Sequence, residues 1–220
     1  MQSAESYDSG AFGSAQATES GSLFGQVMGL VAVTVGFATL GVFLAREMGG
    51  TNWFIAWIIA LGCLIGLNVA NSRGHQGLAL TLLFAFGLLI GASISTTLNY
   101  YSATDPTAVR QAFGATALFV GGLGAGGYAI RRDLSFLYRT AFILLLLLIV
   151  AGIVLIFVRI EALYTVYALA GLGIFGLYTV IVFNRLRRAG QQEAIPLAAG
   201  IFIDVVNIFL FFLQLFGRNN

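Results

Sequence analysis

Seven long apolar runs, joined by short polar connections, constrain this chain more than any other feature. They cover roughly residues 23–45, 53–70, 77–98, 110–130, 136–158, 162–183 and 197–216. Most reach the roughly 20 residues that a helix needs to cross a bilayer. Only a helix satisfies all its backbone polar groups within one segment in lipid, and a barrel would need shorter strands of alternating polarity. The expected fold is therefore all-α and integral to a membrane, with seven transmembrane helices over 23–217. Residues 1–22, rich in Ser, Gly, Ala and Gln, read as a disordered tail. They lack a basic stretch followed by an apolar core and cleavage site, so a cleaved signal peptide is not expected.

Composition narrows the function classes. Only 9% of the residues are charged, against about 25% in soluble domains. The net charge of +2 is too small to suggest a nucleic-acid partner. All eleven basic residues are Arg, and without a lysine no Schiff-base cofactor can form. One Cys, Cys63, and one His, His75 in a short loop, leave no cysteine framework or His/Cys zinc cluster. No nucleophile–base pair or cofactor motif is visible, so neither an enzyme nor a bound cofactor is expected.

The connections carry helix-end signals. Asp105-Pro106 places a capping acid before a proline at the first helical position, and Pro196 is expected to open the last helix in the same way. Asp133 or Ser135 is expected to cap the fifth. Trp53, Trp57, Tyr100 and Tyr101 lie near run ends, where aromatic belts form. Loop arginines number seven on the side of the N-terminus (residues 73, 131, 132, 139, 185, 187 and 188) and four on the other (46, 110, 159 and 218). This predicts a cytoplasmic N-terminus and an external C-terminus.

The last run, LAAGIFIDVVNIFLFFLQLF, contains an acid that its surroundings do not favour. A carboxylate at the centre of a membrane helix costs roughly 2.5–3.5 kcal/mol on insertion scales, and such residues usually face a bundle interior or a water-filled cavity. Asp204 begins a polar stripe continued by Asn207 and Gln214. It should lie about 10 Å inside the membrane from the cytoplasmic surface. It reads as an ion or proton site, and the plainer alternative is a buried Asp that fixes packing through a hydrogen bond. Asn184, at the end of the sixth run, is a candidate partner. Arg185 or Arg73 is a candidate counter-charge closing the cytoplasmic mouth, and Ser93, Ser95, Thr96, Thr97 and Asn99 could line a water-filled path. The identity of any metal is left open.

Gly122 to Gly127 spells G-x-G-x-x-G, but within a membrane run it lacks the strand and soluble helix that a dinucleotide site requires. Gly122 and Gly126 are instead expected to form a small-xxx-small packing pair. The Arg185, Arg187 and Arg188 cluster reads as a topology signal and contact for anionic lipid.

Several stretches together resemble one family. Ile201–Gly217, IFIDVVNIFLFFLQLFG, is similar to the last helix of the Bax inhibitor-1 (YccA-like) family, and Arg131–Leu137, RRDLSFL, to its junction between helices four and five. Ala112–Thr116, AFGAT, resembles the start of its fourth helix, and Tyr178–Arg185, YTVIVFNR, the end of its sixth. The resemblance implies six helices around a central seventh, and for a bacterial member an inner-membrane location. It implies a pH-sensitive calcium leak in some members and control of membrane-protein quality or cell death in others. In leak members two aspartates, on helices six and seven, share a proton, and an arginine near the end of helix two latches onto the first. Asp204 matches the second aspartate. The first falls on Asn184 and the latch on Asn71, with Arg73 two residues on, so Asp204 is expected to titrate as a single site.

Two functions follow as expectations. One is a cation leak, with Ca²⁺ as the candidate ion and altered pH gating. The other is a non-conducting regulator that binds a membrane protease or another membrane complex.

Overall fold

The computed structural model describes residues 2–46, 52–158 and 160–217, with the side chains of residues 2–22, 52–53 and 161 left out. The described residues form seven helices long and apolar enough to cross a membrane, and no strand. They are α1 (Gln2–Leu44), α2 (Asn52–Ser72), α3 (Gln76–Thr104), α4 (Pro106–Ala129), α5 (Leu137–Phe157), α6 (Glu161–Leu186) and α7 (Ala194–Phe216). A 3₁₀ turn, Gln191–Glu193, precedes α7. The tail read as disordered falls on side chains outside the described residues; its backbone continues α1 from Gln2, and the apolar span begins at Leu23.

The expected capping holds at one junction and shifts at two. The Asp105 carboxylate accepts from the Ala108 N–H at 2.9 Å, with Pro106 in the first turn. Helix α7, in contrast, begins before Pro196. Proline is tolerated there because first-turn N–H groups have no partner within the helix. Asp133 and Ser135 do not cap α5: Phe136 holds the N-cap position without a side-chain bond. The Asp133 carboxylate instead accepts from the Ser135 N–H at 2.7 Å, closing a turn within the junction.

Helix α7 packs against α1, α2, α3, α4 and α6, whereas α5 joins the bundle chiefly through α6. The apolar stretches of α7 and α6 are 56% and 50% buried in protein, against 17% for α2 and α5. The last helix is therefore the hub and α5 the outlier, with Leu147 and Ile156 left open to lipid. Because α7 starts at Ala194, Asp204 lies about 15 Å along it, deeper than the run boundary suggested.

Close crossings replace the hydrophobic effect as the force joining helices in lipid. Helices α1 and α3 meet backbone to backbone, and a Cβ on Gly91 would strike the Ala38 carbonyl. On α4 the expected pair is corrected. Gly122 and Gly126 are exposed and nothing lies within 4 Å of a Cβ built on either. Gly124 and Gly127 make the contact instead, against the Phe183 ring and the Val180 carbonyl of α6. The spacing identified a small-residue face, but not which neighbour each glycine meets. Gly91→Ala is expected to destabilise by about 2 kcal/mol through overpacking. Gly122→Ala should be neutral or stabilise by up to about 1 kcal/mol through helix propensity. Equilibrium unfolding in mixed micelles checks both.

Candidate functional site

Apolar side chains surround most of α7, so its polar positions matter where they face a cavity. Asp204 is 5% exposed, and its Oδ2 is buried with no hydrogen-bond partner. It lines a cavity of about 310 Å³ between α2, α5, α6 and α7, with Asn68, Tyr138, Tyr178 and Arg185 as the other polar walls. A second cavity, about 340 Å³, is lined by Ser93, Tyr167 and Asn207 among mostly apolar side chains. Leu145, Phe175 and Ile203 line both cavities and form an apolar collar between them. The amide of Asn207 donates to the Ile203 carbonyl and the Ser93 hydroxyl to the Ile90 carbonyl, both at 2.8 Å, so these donors are spent on their own helices.

At the arginine-rich end, the turn before α7 is tied on two sides. Arg185 forms an ion pair with Glu193 at 2.5 Å. The Asn71 amide donates to the Gln192 carbonyl at 2.9 Å. Of the three candidate latch residues, Asn71 and Arg185 thus hold the turn flanking the Asp204 cavity, while Arg73 is exposed. The only ion pair of Arg185 among the described residues is to Glu193, so it is not the counter-charge for Asp204 that the sequence suggested. Among the helix-three candidates, Ser93 reaches the second cavity, Ser95 donates to the Ala45 carbonyl at 3.3 Å, and Thr96 and Thr97 are exposed. His75 is exposed at the start of α3.

Asn184 is buried, at 1% exposure, but it does not meet Asp204. Its Nδ2 donates to the carbonyls of Ile130 (2.7 Å), Arg132 (3.0 Å) and Gly127 (3.3 Å). Its Oδ1 accepts from the Leu134 N–H (3.1 Å) and from Arg188 (2.7 Å). The side chain therefore staples the α4–α5 junction to α6. Arg188 also pairs with Asp133 at 2.8 Å. The Arg188 guanidinium, helped by Ser135, holds the Asp133 carboxyl well below the usual carboxylate range, and Asp133 in turn raises Arg188. A depressed carboxyl adds stability that is present above its unfolded pKa and lost only as pH falls through the lower folded value. This pair therefore keeps its charge through the neutral range.

The sequence did not point to Asn68, Tyr138 or Tyr178 as neighbours of Asp204, nor to Glu193 as the partner of Arg185. Tyrosines in apolar runs look like interface or core residues. Which one meets the acid depends on helix rotation, which no spacing rule supplies.

A family model described as Inhibitor of apoptosis-promoting Bax1 matches residues 22–220. Relatives include the uncharacterized protein YrjE of Lactococcus lactis, 29% identical over 204 residues covering 86% of this chain and 84% of the relative. An uncharacterized membrane protein of Vibrio cholerae is 26% identical over 165 residues, covering 74% and 73% respectively. The inner membrane protein YbhL of Escherichia coli K12 is 26% identical over 178 residues, covering 76% and 75%. With seven membrane-length helices and a family match across nearly all of them, the chain is a multi-pass integral membrane protein and belongs to the Bax inhibitor-1 family.

Proposed function

We propose that the protein is a slow cation leak, with Ca²⁺ the divalent candidate, whose path follows the two cavities between α2, α3, α5, α6 and α7. The observation that carries this reading is a buried carboxylate oxygen with no partner, on a side chain that lines one of those cavities. A carboxylate held in this way lacks the hydrogen bond that a purely structural Asp would use, and a passing cation or water can supply the missing contact. Calcium takes 6–8 oxygens. Asp204, the Asn68 carbonyl and the two tyrosine hydroxyls provide only part of that shell. The remainder is water, so binding is weak enough to permit release. The collar of Leu145, Phe175 and Ile203 is an apolar constriction of the kind that closes a path by dewetting. With Asn184 in place of a second carboxylate, no shared proton operates a switch here. On the orientation expected from the loop arginines, the Asp204 cavity faces the cytoplasm and the second cavity the outside.

The absent aspartate pair favours one other reading, a non-conducting regulator of a membrane protease or another membrane complex. Calcium flux into proteoliposomes separates the two. The leak reading expects measurable flux that falls about tenfold or more in Asp204→Asn, a loss of about 1.4 kcal/mol or more of transit stabilisation. Flux equal in the two proteins would remove Asp204 from the path, and no flux in the parent protein would favour the regulator.

A further inference from the structure

A third cavity, about 630 Å³, lies away from the Asp204 cleft, between α1 and α4. Its walls are almost wholly apolar, with Phe24 and Met28 on one side and Ala117, Gly121 and Ala125 on the other, and Val205 of α7 at its base. The two walls meet through an edge-to-face contact between Phe24 and Tyr128, at 5.3 Å. The lining on α4 extends from Thr116 to Ala129. That stretch rises about 20 Å, comparable to the depth of one leaflet. The small residues on α4 keep the space open. A Cβ on Gly121 would meet nothing within 4 Å.

The arginine-rich end of this groove carries charge. Arg131 and Arg132 follow its last lining residue on α4, Ala129, after Ile130 alone, and both are exposed. Neither is in either ion pair of the described residues, whereas Arg185 and Arg188 each have an acidic partner. Their backbone is fixed, because Asn184 donates to the carbonyls of Ile130 and Arg132. An apolar slot about one leaflet deep, with two exposed arginines outside the ion pairs of the described residues just past its end, complements a molecule with an apolar tail and an anionic head. Arginines also bind phosphate with a fixed fork of donors, and basic pockets between membrane helices take anionic headgroups.

We propose that this groove is an anionic-phospholipid site, with one acyl chain between α1 and α4 and the phosphate on Arg131 and Arg132. The test titrates the purified full-length chain, in a neutral detergent, with phosphatidylglycerol, with phosphatidylcholine of the same acyl chains, and with inorganic phosphate. Native mass spectrometry reads retained lipid. The site predicts tighter retention of phosphatidylglycerol than of phosphatidylcholine. In Arg131→Gln/Arg132→Gln that preference should fall by roughly 30-fold, about fivefold per arginine. Gly121→Phe puts a ring into open space, so it should fold and lose retention of both lipids. Equal retention of the two lipids by the parent chain would overturn the proposal. So would unchanged retention in Gly121→Phe, or competition by inorganic phosphate alone, which would mark a simple anion site. A groove filled by residues 1–22 or by a second copy would show as no lipid retained by the parent chain, and that too would overturn it.

Discussion

Asn184→Ala is expected to lower the stability of the folded bundle by about 3–5 kcal/mol, the largest loss from any one polar side chain here. The magnitude follows from how many groups depend on that amide. Its two N–H donors are shared among the carbonyls of Ile130 and Arg132 in the α4–α5 junction and of Gly127 near the end of α4, while its Oδ1 accepts from the Leu134 N–H and from Arg188. Each buried group left without a partner costs roughly 1–3 kcal/mol, and water reaching the junction offsets part of the total. Asn184→Asp separates two accounts of this position. A carboxylate can still accept from Leu134 and Arg188 but cannot donate to the three carbonyls, so most of the loss should remain. Unfolding in mixed micelles at neutral pH gives both values. A stable Asn184→Asp protein whose calcium flux acquires a steep pH dependence would show that the side chain has turned toward Asp204, contrary to the arrangement seen here.

That position also shows how far the sequence could be read. The family resemblance put Asn184 where a partner aspartate of Asp204 would lie, and helices α6 and α7 are indeed packed together. Adjacency of helices does not fix rotation, however, and an amide with two donors and an acceptor is drawn to whichever backbone groups lack partners. The non-helical junction at 130–134 supplies those groups in number. The seven spans were legible because lipid imposes a length and a composition that few other structures satisfy. The centrality of α7 came from family resemblance, and burial and packing bear it out. Asp204 was legible as an acid turned into the bundle because its cost made it conspicuous, and it is buried against a cavity. Its neighbours were not, since Tyr138 and Tyr178 blend into apolar runs. The glycine faces of α4 failed for a related reason. Gly122 and Gly126 have the spacing of a contact pair, as do many small residues, and only the position of α6 selects Gly124 and Gly127.

Asp204→Leu is expected to stabilise the protein by about 2 kcal/mol while abolishing calcium flux. A polar group buried without a hydrogen bond costs about 1–3 kcal/mol by mutational measures, and a charged one at mid-helix roughly 2.5–3.5 kcal/mol on insertion scales. Leucine removes that cost, and the adjoining cavity of about 310 Å³ has room for its extra volume. The sign of the change is what decides. If Asp204 were retained to lock the packing of α7 through a hydrogen bond, its loss would destabilise by about 1–3 kcal/mol. The unpartnered Oδ2 points the other way, toward a residue kept at the expense of stability, as functional sites often are. Unfolding midpoints of the parent, Asp204→Leu and Asp204→Asn, measured beside their fluxes, place the residue on one side or the other. A bundle that is weaker and still leaks would identify Asp204 as a packing residue, whereas a bundle that is firmer and sealed would identify it as the acceptor in the path.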